Sequence, residues 1–88
     1  MKFKICKNRV IGTLCYDYCD MVEHLSKYTN AEQIMNLLAK ENGLNCLYYY
    51  DFDNNLFFIK LYGSITNMLR FRSSIKYLFG FKEKNDWF

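Results

Sequence analysis

Over positions 47–62, two aromatic-rich runs of apolar residues lie on either side of a polar Asp-Asn-Asn sequence. Runs of this composition predict strands, and the asparagines between them tolerate the positive φ of a tight turn, so we interpret this stretch as a β-hairpin. A turn centred on Asn54-Asn55 predicts these cross-strand pairs: Phe52 with Phe57, Tyr50 with Ile59, and Tyr48 with Leu61. A turn one residue earlier, at Asp53-Asn54, changes the partners but leaves the same residues on each face.

The two faces of this hairpin differ in composition. One face carries the paired residues together with Cys46, and we expect it to lie in the core. The opposite face mixes two charged side chains with three aromatic rings, and the charges favour contact with solvent. Its residues are Leu47, Tyr49, Asp51, Phe58, Lys60 and Tyr62.

The amino-terminal segment alternates as well. In residues 2–6, Phe3 and Ile5 fall on one side and lysines on the other, which predicts a first strand. Residues 9–14 return as a second strand if the chain turns at Lys7-Asn8, and the pattern alone leaves this second strand open.

Apolar residues at helical spacing predict three helices. They run from an Asp17 N-cap to about Tyr28, from the capping-box sequence at 29–32 to Gly43, and from a Ser64 cap to Gly80. Residues 81–88 remain unassigned. The predicted fold is α+β, a three- or four-stranded antiparallel sheet with three helices in the order β(β)ααββα, with the helices on one side of the sheet and residues 1–88 as a single domain.

Composition supports a folded chain with a small core. Hydrophobic residues make up 51% of the 88 and aromatic residues 19%, while proline is absent. We find no apolar run of about 18 residues that would cross a bilayer and no signal-peptide pattern at the start. We therefore expect a soluble, cytoplasmic protein whose four cysteines are reduced thiols, with no membrane contact.

Charge is unevenly distributed along the chain. The net charge is +3, but residues 17–53 carry seven acidic and two basic side chains, whereas residues 1–16 carry four basic side chains and no acidic one. This imbalance can steer a partner. It is smaller than the positive charge expected of a dedicated nucleic-acid binder.

Candidate catalytic and metal-binding chemistry is weak. A zinc set would need ligands from Cys6, Cys15, Cys19, His24 and Cys46, but the CxxxC spacing lacks the tight turn of zinc knuckles, and buried hydrophobic thiols are the favoured interpretation. His24 lies one helical turn after Asp20, which favours an ordinary surface pair over a catalytic one. No glycine-rich phosphate loop is present. We predict a protein that is not an enzyme and that needs no metal or other cofactor.

Binding is the favoured class of function. Tyr49, Phe58, Lys60, Tyr62 and Trp87 are the predicted partner-binding residues, because clustered rings among charges are typical of protein interfaces. The predicted partner is a larger host protein or complex. The protein itself is also expected to be able to form a homodimer through its sheet face or edge. The alternative is an RNA- or single-strand-binding protein, since rings beside lysine on an open sheet also stack bases.

The chain resembles, in size and composition only, small phage-encoded proteins that inhibit host machinery, including anti-CRISPR proteins. It is short and motif-free, and rich in Asn, Lys, Tyr, Phe and Ile. This resemblance implies a mechanism in which the protein occludes or clamps a host effector, and it assigns no functional residue.

Overall fold

The computed structural model describes residues 1–27 and 29–85. This part of the chain forms a four-stranded antiparallel sheet and three helices, which confirms the predicted α+β class and element order. The elements are β1 Lys2–Cys6, β2 Arg9–Asp17, α1 Tyr18–Leu25, α2 Ala31–Glu41, β3 Asn45–Asp51, β4 Leu56–Tyr62 and α3 Ile65–Phe79.

The sheet has the strand order β1-β2-β4-β3, so two sequence-local hairpins join through a long-range pairing of β2 with β4. Lys7 and Asn8 form the first turn with φ angles of 50° and 64°, the positive values that a tight two-residue turn requires. The second strand is therefore present, and it continues to Asp17, three residues beyond the predicted end.

The second hairpin has the register of the earlier turn, at Asp53-Asn54. The pairs predicted from a turn at Asn54-Asn55 are wrong; the observed pairs are Tyr50 with Phe57, Tyr48 with Ile59, and Cys46 with Leu61. The reason is local, because the Asp51 carboxylate accepts hydrogen bonds from the Asn54 backbone N–H at 3.2 Å and from its side-chain amide at 2.8 Å. Phe52 consequently lies in the turn with 69% of its surface exposed, so its expected place in the core is wrong.

Helix α1 begins where Asp17 ends β2. The Asp17 carboxylate accepts a hydrogen bond from the Asp20 backbone N–H at 2.9 Å, as an N-cap does. The helix ends at Leu25, earlier than predicted, and Tyr28 lies outside the described residues.

Three of the four capping residues of α2 and α3 are those that the sequence predicts. At the start of α2 the N-cap is Asn30 rather than the first residue of the predicted capping box. Gly43 follows α2 with φ 67°, and Gly80 follows α3 with φ 76°, conformations that glycine adopts without strain. Ser64 caps α3 by accepting a hydrogen bond from the Asn67 backbone N–H at 3.2 Å.

The helices cover one face of the sheet, and the core lies between the two layers. We call this the covered face. The layers pack closely at Gly12, where a Cβ atom would lie 2.7 Å from the Met68 sulfur on α3. The buried core residues are Leu14, Tyr16, Met21, Met35, Ala39, Leu44, Phe57, Ile59, Leu61, Met68, Phe71, Ile75, Phe79 and Phe81.

The segment 81–85, unassigned from sequence, packs along the free edge of β2. The Phe81 ring is buried and meets the Tyr16 ring edge-to-face at 4.7 Å. The Lys84 backbone N–H donates to the Cys15 carbonyl at 2.7 Å, and the Glu83 carboxylate pairs with Arg72 of α3. The segment therefore extends the sheet in line with β1.

Candidate binding face of the sheet

The side of the sheet that faces away from the helices, which we call the open face, contains four of the five predicted partner-binding residues. Strand alternation and the observed register place Tyr49 of β3 with Phe58, Lys60 and Tyr62 of β4 on this side. The fifth, Trp87, lies outside the described residues. The grouping of Tyr49, Phe58, Lys60 and Tyr62 on one side follows from the strand register.

The aromatic centre of the open face is a cross-strand pair. The rings of Tyr49 and Phe58 lie directly opposite each other with centroids 5.6 Å apart, tilted by 56°. The Lys60 ammonium lies 5.1 Å from the centre of the Tyr49 ring, within the range of a cation–π contact. Tyr49 is 45% exposed, and Lys60 is partly exposed, so a partner can reach both.

Accessibility varies across the open face. Phe58 and Tyr62 are partly exposed, while Cys15, which lies opposite Phe58 on β2, has no exposed surface. Segment 81–85 runs along the edge of β2 beside Cys15. The accessible area is therefore centred on Tyr49 and Lys60.

Basic residues that sequence reasoning did not select also lie on the open face. Lys2 of β1 pairs with Thr13 of β2, which pairs in turn with Lys60, so these side chains form one row across three strands. Lys4 of β1 and Arg9 of β2 add positive charge nearby on the same side. Alternation in residues 2–6 showed that the lysines share a face, but only the pairing of β2 with β4 placed them on the same face of the sheet as the rings.

Acidic residues occupy the opposite end of the open face. Asp17 and Asp51 flank Leu56 in the last row of the sheet. Both are engaged locally, Asp51 by Asn54 and Asp17 by the Asp20 backbone and the Asn55 side-chain amide, which donates at 3.0 Å. These hydrogen bonds, that from Asp20 first, lower the pKa of Asp17 below its ordinary value. The open face thus has a basic end with rings and an acidic end with satisfied carboxylates.

The candidate zinc ligands are dispersed. Cys6 and Cys15 lie on the open face, Cys19 and His24 on α1, and Cys46 on the covered face of β3. Cys46 donates weakly to the Tyr48 hydroxyl, with a sulfur–oxygen distance of 3.2 Å. Among the described residues, no three potential metal ligands are grouped closely enough to hold an ion.

His24 and Asp20 form the helical pair that their spacing predicts. The His24 Nδ1 atom donates to the Asp20 carbonyl at 2.8 Å and lies 3.4 Å from its carboxylate. The ring also approaches Phe81 edge-on, with centroids 6.4 Å apart. These contacts tie the imidazole to its own helix and to segment 81–85.

A second aromatic group, not selected from the sequence, lies at the tip of the β3–β4 hairpin on the covered side. The Tyr18 ring meets Tyr50 and Phe52 edge-to-face at 5.4 and 5.2 Å, and the Tyr50 and Phe52 rings stack at 5.5 Å. Tyr50 is 46% exposed, because the hairpin extends past the helices here. Sequence reasoning missed this group because the predicted register placed Phe52 in the core.

No helix in the described part of the chain has the length and apolar character needed to cross a membrane. Comparison of the chain with protein-family models, with curated proteins and with solved structures gave no match.

Proposed function

We propose that this protein is a non-enzymatic binding module that uses its open face to bind a larger protein. The observation that carries the proposal is the contact group of Tyr49, Phe58 and Lys60 on a sheet face that the helices do not cover. Aromatic side chains lose little conformational entropy on binding and bury large areas, so a few of them can supply most of an interface's free energy.

The charges around the rings define the partner's chemistry. Lys60 lies beside the aromatic centre, and Lys2, Lys4 and Arg9 add positive charge on the β1–β2 side of the open face, so the matching surface is acidic there and carries an apolar contact point for Tyr49. A second copy of the chain at the sheet face or edge is the other protein partner in this proposal. The resemblance to phage inhibitors favours occlusion of a host complex in the cytoplasm, where the exposed thiols of Cys6 and Cys19 stay reduced.

Affinity capture with matched variants tests this proposal. Wild-type protein, Tyr49→Ala and Tyr77→Ala are immobilised and exposed to nuclease-treated lysate of the natural host cells. Tyr77 is the control because it is 89% exposed on α3, away from the open face. We expect a stoichiometric protein to be retained by wild type and Tyr77→Ala and lost from Tyr49→Ala. Equal retention by all three variants, or no retained protein, would contradict the proposal.

A single-stranded nucleic acid is the second candidate ligand. The observation that favours it is the row formed by Lys2, Thr13 and Lys60 beside the Tyr49 ring, since phosphates and a stacked base can be bound together by such a row. The acidic end of the face lies away from this row.

Oligonucleotide titration by fluorescence anisotropy at several salt concentrations tests this second candidate. For single strands, each phosphate contact contributes about 0.7 to the slope of log K against log salt, so Lys2→Ala should reduce the slope by about that amount. Lys27→Ala, which removes an exposed lysine after α1, should leave the slope unchanged. Binding that is insensitive to salt would exclude the nucleic-acid candidate and leave the protein-binding proposal intact.

A further inference from the structure

A cavity of about 340 Å³ lies on the covered side of the sheet, between α1, α2 and the tip of the β3–β4 hairpin. This volume is at the small end of the range for ligand pockets, about 300–1,000 Å³. Helix side chains, including Met21 and Met35, form apolar walls together with the Tyr18 ring of α1, and the rings of Tyr48 and Tyr50 form the strand side. The cavity is separate from the open face because it lies on the other side of the sheet.

The cavity has a negative electrostatic character. Glu32 is the single charged side chain among its described lining residues. Burial first, and then the Glu32 charge, raise the pKa of Tyr50 above its ordinary value, so its hydroxyl stays neutral. The ring faces add the negative potential of their π electrons.

We propose that this cavity binds a lysine side chain presented by a partner protein. The apolar walls suit the lysine's four-carbon stem, and the ammonium group at its end meets the tyrosine rings and Glu32. Arginine fits less well, because a guanidinium is best bound by the paired oxygens of a carboxylate held in a fixed plane, and Glu32 is exposed on the first turn of α2. This site goes beyond the proposed function and does not depend on the open face.

Titration with blocked amino acids tests the proposal. The probes are Nα-acetyl-lysine amide, the arginine equivalent, and the norleucine equivalent, which keeps the stem and lacks the charge. Methyl NMR signals of Met21 and Met35 report on the cavity, and the methyl of Met68, which lies in the core beneath Gly12, is an internal control. We expect the lysine probe to shift both cavity methyls and to bind about threefold to tenfold more tightly than the norleucine probe, as cation–π and exposed charge contacts together predict. The arginine probe should bind more weakly than the lysine probe.

Two glutamate variants of α2 make the test specific. Glu32→Gln should lose most of the preference for lysine over norleucine, whereas Glu41→Gln, also exposed on α2 but outside the cavity, should retain it. Both positions are exposed, so neither change should unfold the protein. Equal affinity for the lysine and norleucine probes, tighter binding of the arginine probe, an unchanged preference in Glu32→Gln, or no shift of either cavity methyl at the solubility limit would each overturn the proposal. None of these results bears on binding to the open face.

Discussion

The two faces of the sheet are built from the same strands and both carry aromatic rings, yet only one face is buried beneath the helices. On β4, Phe57, Ile59 and Leu61 are buried, whereas Phe58, Lys60 and Tyr62, which alternate with them, remain partly exposed. Aromatic residues therefore do not identify the core in this protein. The difference between the faces comes from the helices, which pack against one side and leave the rings of the other side beside lysines.

The largest difference between the two faces is expected in the stability of two alanine variants, one on each face. Ile59→Ala should lower the free energy of unfolding by about 2–5 kcal/mol, because it opens a cavity beneath the helices. Tyr49→Ala on the adjacent strand should cost about 1 kcal/mol or less, because its ring already meets solvent. Urea denaturation monitored by circular dichroism measures both. Equal costs would mean that the open face is buried in solution.

A smaller difference is expected when one side chain is changed on each face at neighbouring positions. Gly12→Ala places a Cβ atom 2.7 Å from the Met68 sulfur, and should cost about 1 kcal/mol because the flexible methionine end can move. Thr13→Val, on the open face, should change stability by about 0.5 kcal/mol or less. The same denaturation experiment compares them, and a costless Gly12→Ala would show that the layers pack less closely at this position.

The junction between β2 and α1 predicts a dependence on pH. Because hydrogen bonds lower the pKa of Asp17 in the folded state, its ionised carboxylate stabilises the fold at pH values above the unfolded pKa of about 3.9. This contribution is lost as the pH falls through the lower, folded pKa. Asp17→Asn retains a capping side chain without a titrating group, so its stability should fall less between neutral pH and about pH 3 than that of wild type.

The control for this experiment is Asp53→Asn, which removes one exposed carboxylate from the hairpin turn. Its stability should follow the pH dependence of wild type more closely than Asp17→Asn does. Parallel curves for wild type and Asp17→Asn would contradict the assigned role of the Asp17 carboxylate.

The smallest expected effect concerns the ring and lysine of the open face. Lys60→Met keeps the apolar stem but removes the ammonium above Tyr49, and should cost about 0.5 kcal/mol. Lys4→Met, an exposed lysine on the same face, is the matched control and should be close to neutral. A double-mutant cycle with Tyr49→Ala measures the interaction energy of the two side chains. A coupling energy of zero would show that the cation–π contact does not stabilise the protein.

Much of the fold could be predicted because its signals are local. Asp17, Ser64, Gly43 and Gly80 mark helix ends through backbone hydrogen bonds and φ angles that depend on a few neighbouring residues. The register of the second hairpin was harder to predict, because both turn positions put the same residues on each face. The hydrogen bonds that the Asp51 side chain accepts from Asn54 favour the observed turn.

The candidate site was predictable only in part. Alternation along β4 placed Phe58 with Lys60, and both turn positions considered for the hairpin put Tyr49 on the same face. The contribution of Lys2 was not predictable, because it depends on the pairing of β2 with β4, two strands that are separated in the sequence by α1, α2 and β3. The lysine-binding cavity likewise requires α1, α2 and the hairpin tip to meet, which no local pattern encodes.

The sequence by itself determined the order of the three helices and of three strands, and which side chains share a strand face, because these depend on steric and hydrogen-bonding preferences within a few residues. Only the tertiary structure decided that β2 pairs with β4, which brings the basic edge strand β1 into the same sheet as the aromatic pair, and that segment 81–85 packs along β2. Those outcomes depend on how much apolar surface is buried in contacts between distant parts of the chain. That burial is complete only when the sheet and the helices pack together.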